Sequence, residues 1–218
     1  MFLFVQQWEV LRGKGPEYTD FVLRRLLPAM QKVGLNVIGG FHVIIGSGPR
    51  ISAVSLAHNF LDLQKALESD EFIEVTKELH AYISNYTSAV LKSTGRIPVE
   101  GYGIEMGTWR FNQYYKLVHG TEKEYPDFLI SEYIPALMKL GIRVKAEWQV
   151  LIGTGLRLLL EGVTASLVDI AQAIMTDKFR VLRRQLLSNY AVNYSSRILA
   201  PTGRVEVAYL LGEMMKSL

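Results

Sequence analysis

Ile45-Gly46-Ser47-Gly48-Pro49-Arg50 and, 107 residues further along, Ile152-Gly153-Thr154-Gly155-Leu156-Arg157 share the spacing Ile-Gly-x-Gly-x-Arg. Working outward from these two segments, the same offset pairs Gly34 with Gly141, Pro28-Ala29 with Pro135-Ala136, and Asp20-Phe21 with Asp127-Phe128. It goes on to pair Glu17-Tyr18 with Glu124-Tyr125 and Gly13 with Gly120. In the other direction Asp62, Ala66, Asp70 and Phe72 meet Asp169, Ala173, Asp177 and Phe179. Past Leu79 and Leu186 the offset becomes 108, so that Asn85 meets Asn193 and Tyr86 meets Tyr194, and Gly95-Arg96 and Gly203-Arg204 close the units. So long a register identifies a tandem duplication. It divides the chain into a first unit at 1–97, a connector at 98–106 and a second unit at 107–218.

Each unit opens with an aromatic and β-branched stretch that ends near a glycine, Phe4 to Leu11 and Trp109 to Val118, which predicts a strand. Apolar residues at helical spacing follow from Pro16 to Val33 and from Lys123 to Leu140, and Gly34 and Gly141 stop them as C′ glycines. Pro28 and Pro135 lie inside these helices and predict a bend or break there. The repeated glycine segment joins two apolar runs, Val37–Ile45 with Arg50–Ala57 and Val144–Ile152 with Arg157–Thr164. That is a hairpin rather than a phosphate loop, which needs a helix after its glycines. Asn59 and Ser166, each with an aspartate three residues later, predict a capped short helix. Ser69 and Thr176 cap a second helix, and a last strand falls near Tyr86–Lys92 and Asn193–Leu199.

The order β-α-β-β-α(α)-β is that of a ferredoxin-like α+β module. Such a sheet carries helices on one face only, and the other face must be buried. Two modules in one chain cover each other. The expected architecture is therefore two antiparallel sheets packed face to face into an eight-stranded, pseudo-dimeric α/β barrel, wide enough for filling side chains or one small ligand.

Composition narrows the function classes. There is no cysteine, hence no disulfide or thiolate chemistry, which fits a cytoplasmic setting. Residues 1–106 hold 10 basic and 11 acidic side chains (−1) and residues 107–218 hold 14 and 10 (+4), for a net charge of +3. A nucleic-acid binder concentrates positive charge far more. No stretch reaches the roughly 18 uncharged apolar residues of a membrane helix. The pseudo-dimer is expected as a monomer, or as a higher homo-oligomer through its helical or edge surfaces.

The Glu17-Tyr18-x-x-Phe21 helix start, the hairpin glycine and the openings Asp70-Glu71-Phe72 and Asp177-Lys178-Phe179 carry a family resemblance. So do the tails Ser88–Arg96 and Ser196–Arg204. The chain resembles the dimeric α/β-barrel superfamily and, within it, the NIPSNAP-type domain in two tandem copies. The resemblance implies a ferredoxin-like barrel, with no settled chemistry for the NIPSNAP branch. The wider superfamily includes cofactor-independent monooxygenases, haem-degrading enzymes and small-molecule isomerases. The Asn, Trp and His pattern of the haem-degrading branch has no matching positions here, and no cofactor is expected.

Candidate site residues come from side chains that break the pattern. His42 lies mid-strand among aliphatics and His58 at the end of the next strand, and a histidine facing the interior can act as acid or base. Glu161 interrupts the apolar run Leu158 to Val163, where a buried carboxylate needs a partner or a raised pKa. Gln6 with Trp8, and Gln113 with Tyr115, share one strand face in each copy. That face lines either a ligand pocket or the layer under the helices. No two histidines have metal-ligand spacing, so no metal site is expected. The leading expectation is a barrel that binds a small apolar or aromatic molecule. The alternatives are a cofactor-independent monooxygenase or isomerase using His42, His58 or Glu161, and a protein-binding scaffold without catalysis.

Overall fold

The computed structural model describes residues 1–103, 105, 107–154 and 157–200. Gly155 of the second hairpin, Met106 of the connector and the closing Gly203-Arg204 pair lie outside the described residues. The first repeat runs β1 (Phe2–Val10), α1 (Gly15–Phe21), α2 (Leu27–Lys32), β2 (Asn36–Ile45), β3 (Ile51–Ala57), α3 (Phe60–Leu67), α4 (Asp70–Leu79) and β4 (Ile83–Ser93). The second repeats it as β5 (Trp109–Leu117), α5 (Tyr125–Phe128), α6 (Ile134–Lys139), β6 (Arg143–Ile152), β7 (Leu158–Thr164), α7 (Leu167–Met175), α8 (Asp177–Asn189) and β8 (Ala191–Ala200).

The helices do not break at Pro28 and Pro135. A π-helical turn, Val22–Leu26 or Leu129–Tyr133, joins α1 to α2 and α5 to α6, with Leu27 N–H donating to Val22 O and Ile134 N–H to Leu129 O. Widening the turn ahead of each proline eases the clash between its ring and the carbonyl four residues back. Gly34 and Gly141 both take φ +83 and end the helices. The predicted caps are in place. Asn59 accepts from Asp62 N at 2.8 Å, and Ser166 and Asp169 form a reciprocal capping box at 3.1 Å each way.

The eight strands form a closed, all-antiparallel ring in the order β1-β3-β2-β8-β5-β7-β6-β4. Closure takes place at two seams between the repeats. At one, β2 pairs with β8 through Val43↔Leu199; at the other, β4 pairs with β6 through Leu91↔Val150. A closed ring has no unpaired strand edge to template aggregation. The repeated glycines sit at these seams. A Cβ on Gly46 (φ +120) would fall 2.8 Å from Ser196 O and Arg197 Cγ, and one on Gly153 (φ +142) would fall 3.1 Å from Ala89 Cβ. Gly46 thus serves both the turn and the close approach of the other repeat.

Alternation along each strand sorts side chains into two environments. Phe4 and Trp8 pack outward on Tyr18, Phe21 and Leu26 of the first helical layer, while Phe111 and Tyr115 pack on Tyr125, Phe128 and Tyr133 of the second. Leu3, Phe41, Val54, Trp148, Leu159 and Leu199 point inward and build the barrel core. Burying each of these side chains contributes about 1.5–3 kcal/mol.

β4 and β8 start earlier than the sequence suggests, because Asn85 and Asn193 sit inside the strands. They take φ 54 and 55, at the points where the β1–β4 and β5–β8 registers shift. Asparagine tolerates this left-handed geometry better than other non-glycine residues. Asn193→Gly should therefore change stability by less than about 0.5 kcal/mol, whereas Asn193→Val should cost about 1–2 kcal/mol or more. Urea denaturation midpoints of the two variants check this.

Candidate functional site

Among the described residues the charged Arg110 and Glu161 of the barrel interior both come from the second repeat, beside apolar Ala146, Trp148 and Leu159. At matching positions the first repeat has Leu3, Val5 and Val54 where the second has Arg110, Asn112 and Glu161. Arg110 and Asn112 alternate with outward-facing Phe111 on β5, and Asn112 is the direct cross-strand partner of Glu161 on β7. That register puts Arg110 diagonally across from Glu161, within reach of a long side chain.

Arg110 Nη1 donates to Glu161 Oε1, and both side chains are only 3% exposed. Tyr102 enters the interior from the connector. Its hydroxyl lies 3.0 and 2.9 Å from the two Glu161 oxygens and accepts from Arg110 Nη1 at 3.2 Å. Its ring meets Trp148 edge-on at 5.0 Å, and the Arg110 guanidinium sits 4.6 Å over the Phe41 ring. Burial works against the Arg110 charge, yet Glu161 and the Tyr102 phenol together hold its pKa above the usual value. Burial, reinforced by the Glu161 charge, pushes the Tyr102 phenol far up, so it stays neutral. Further along, Arg197 Nη1 donates to Gln7 Oε1 at 3.0 Å, and its guanidinium lies 5.4 Å from the Tyr114 ring.

The hydrogen-bonding capacity of this cluster is not exhausted. Arg110 Nε and Nη2, Asn112 Oδ1 and Trp148 Nε1 are buried without a partner. Native interiors leave few such atoms, and each costs about 1–3 kcal/mol.

The other sequence candidates lie elsewhere. His42 pairs with Ile51 of the outward face, so it points away from Glu161; His58 is exposed. Gln6 and Trp8 lie under the first helical layer, donating to Tyr86 Oη at 2.8 Å and Tyr18 Oη at 3.2 Å. Gln113 and Tyr115 hold the corresponding place in the second repeat. Gln113 Oε1 accepts from Tyr133 at 2.7 Å and Tyr194 at 2.9 Å, while the Tyr115 and Tyr125 hydroxyls lie 2.6 Å apart. The Phe4, Trp8, Phe111 and Tyr115 rings share that outward face and pack beneath the helices. Glu147 completes this second layer. It is fully buried and bound by Tyr125 at 2.6 Å and by Arg96 and Thr94 at 2.7 Å each. Sequence reading missed Arg110, Asn112, Tyr102, Trp148 and Glu147. The signal for three of them was available: Arg110, Asn112 and Glu147 replace Leu3, Val5 and Gly40 of the first copy. Tyr102 has no counterpart, because the connector is not part of the repeat.

No family model and no curated protein matches this chain. Solved structures do match its fold. A chlorite dismutase variant from Candidatus Nitrospira defluvii shares 11% identity at a TM-score of 0.59, with 92% of this chain and 91% of that one covered. An anthrone oxidase-like protein shares 11% at 0.58, covering 91% and 90%. A Lactobacillus acidophilus protein described as a candidate monooxygenase shares 8% at 0.58, covering 94% and 96%. The fold is the dimeric α/β barrel. Among the described residues no helix is long and apolar enough to cross a membrane.

Two predictions follow from this geometry. Glu161→Ala leaves the Arg110 charge buried and unpaired and should cost about 3–5 kcal/mol; the double variant Arg110→Met/Glu161→Leu should recover most of that loss in urea denaturation. The second concerns alkaline stability. Burial raises the folded-state pKa of Tyr102, Tyr115, Tyr125 and Tyr133, and pushes Tyr194 up to about 12. The unfolded chain ionises its phenols near pH ~10. Stability from these groups is therefore whole below that pH and falls as pH rises above it. Tyrosinate absorbance and loss of circular dichroism should appear together on alkaline titration.

Proposed function

We propose that this dimeric α/β barrel binds a small, largely apolar or aromatic molecule in its interior, against the Arg110–Glu161 side. One observation carries the reading: three donors and one acceptor, Arg110 Nε and Nη2, Trp148 Nε1 and Asn112 Oδ1, are buried there without partners. They stand in an otherwise apolar lining of Phe41, Trp148 and Leu159. An apolar wall with a few fixed polar groups is the usual make-up of a small-molecule site. The structural neighbours are named as a candidate monooxygenase, an anthrone oxidase-like protein and a chlorite dismutase, names that agree with the reading at the level of fold alone.

The monooxygenase or isomerase alternative needs a second proton-handling group beside Glu161. His42 and His58 do not supply one, since the first points to the opposite face and the second is exposed. Binding without catalysis is the reading this arrangement favours over both the enzyme and a pure scaffold. A NIPSNAP-type protein of the cytoplasm, working as a single pseudo-dimeric chain, is the setting in which we place it.

The test is to purify the protein natively, denature it and analyse the released small molecules by mass spectrometry. Arg110→Met/Glu161→Leu, which keeps the interior filled, should retain at least about tenfold less of the released compound, consistent with the loss of a charge-assisted hydrogen bond. Equal retention by the variant would place the ligand elsewhere and defeat the proposal.

A further inference from the structure

We infer that the connector residue Tyr102 is a tethered occupant of a phenol site, and that the molecule bound in the barrel is a hydroxylated aromatic that takes its place. The inference rests on the small-molecule reading above and narrows it to one chemical class.

Tyr102 belongs to neither repeat. It hangs from the segment between β4 and β5, where a turn bonds its N–H to Val99 O at 3.0 Å. Glu100 and Gly101 just before it are exposed, while Tyr102 itself is 8% exposed. One side chain of a surface strap is thus driven into the barrel. Among the described residues of the strap, Val99 packs against the barrel core and Glu105 pairs with Arg143 and Lys145, both at 2.5 Å and partly solvated. Partly solvated pairs of this kind hold weakly.

What holds Tyr102 inside is generic to a phenol. The carboxylate of Glu161 takes the hydroxyl proton as acceptor, Arg110 Nη1 donates to the same oxygen, and Trp148 offers its ring to the aromatic edge. A group that must donate to a carboxylate and accept from a guanidinium at one atom is a hydroxyl. A protonated amine cannot accept from Arg110, and a carbonyl cannot donate to Glu161. Arg110 and Glu161 cancel each other's charge, so the fitting hydroxyl is a neutral one. Tyr102 leaves Arg110 Nε, Arg110 Nη2 and Trp148 Nε1 without acceptors. The preferred ligand therefore carries at least one further oxygen, a second hydroxyl or a carbonyl, on the same aromatic frame. Its entry requires the Tyr102 side chain to leave, and the ligand replaces the Tyr102 contacts with equivalent ones.

Tyr102→Ala empties the phenol position, and the fit is tested with p-cresol, the tyrosine side chain as a free molecule, against toluene. The variant should bind p-cresol at least on the order of tenfold more tightly than toluene by calorimetry, because a site built for a hydroxyl rejects the analogue lacking it. Its thermal midpoint should rise with p-cresol concentration. Equal affinity for the two, or binding of neither by the folded variant, would overturn the inference. Should Tyr102→Ala not fold, Tyr102→Phe serves instead. Its occupant competes more weakly, so the variant should bind catechol more tightly than the unaltered protein does, and equal or lower affinity overturns the inference. The native-ligand extraction separates the two levels. A retained compound without a phenolic hydroxyl, lost on Arg110→Met/Glu161→Leu, would sink the phenol assignment and leave the binding barrel standing; no Arg110-dependent compound would sink the broader reading.

Discussion

A ferredoxin-like sheet buries one face under its own helices and leaves the other face and two edges bare, and every feature of this protein answers that constraint. The bare faces meet in a shared core of Leu3, Phe41, Val54, Trp148, Leu159 and Leu199. The bare edges pair at the β2–β8 and β4–β6 seams. Backbone pairing at a seam needs close approach, and the paired hairpins supply it with glycine at Gly46 and Gly153, where a side chain would strike the opposite repeat. The segment that reveals the duplication is thus the one that makes the duplication structurally useful.

Closure also explains where the two halves were free to diverge. The outward faces are held to a common plan by the helices they carry: Gln6 and Gln113 both bond tyrosines of the last strand, Tyr86 and Tyr194, and Trp8 and Tyr115 both bond a tyrosine of the first helix. The interior is held only by volume. Leu3 and Arg110, or Val54 and Glu161, can occupy matching positions so long as the barrel stays filled and any charge is paired. The pairing here is close to complete for Glu161, which has Arg110 and Tyr102, and incomplete for Arg110, whose Nε and Nη2 have no acceptor.

Most of the fold was legible in the sequence because glycines, caps and aromatic strands recur at a fixed offset, and each recurrence checks the other. The π-helical turns were not, since a proline announces a disturbed helix without saying whether the chain bends or widens. The starts of the last strands were legible only in part, because Asn85 and Asn193 each form a left-handed bulge inside a strand that begins before them. The site was legible only in part. Glu161 stands out in an apolar run, but Arg110 sits beside Trp109 in a strand already rich in polar residues, and nothing marks it except the leucine of the other copy. Tyr102 lies in a segment with no internal counterpart, so comparison of the repeats is silent about it. Gln6, Trp8, Gln113 and Tyr115 show the limit of alternation: it groups residues on one face without saying which face is inside.

Fusion of the two modules into one chain changes what the interior can hold. In a barrel made of two identical subunits each inward residue appears twice about the axis, so an arginine placed inside brings a second and each needs its own carboxylate. Burying one such pair already sets a large desolvation penalty against its attraction. In a single chain the repeats differ, and the Arg110–Glu161 pair has Leu3 and Val54 at the matching positions of the other repeat, which bring no second pair. The connector that fusion creates can then contribute a residue no subunit could offer, and here it contributes the hydroxyl that the carboxylate and guanidinium share. Asymmetry, an ion pair buried in the barrel interior and a tethered phenol are therefore three consequences of one covalent link.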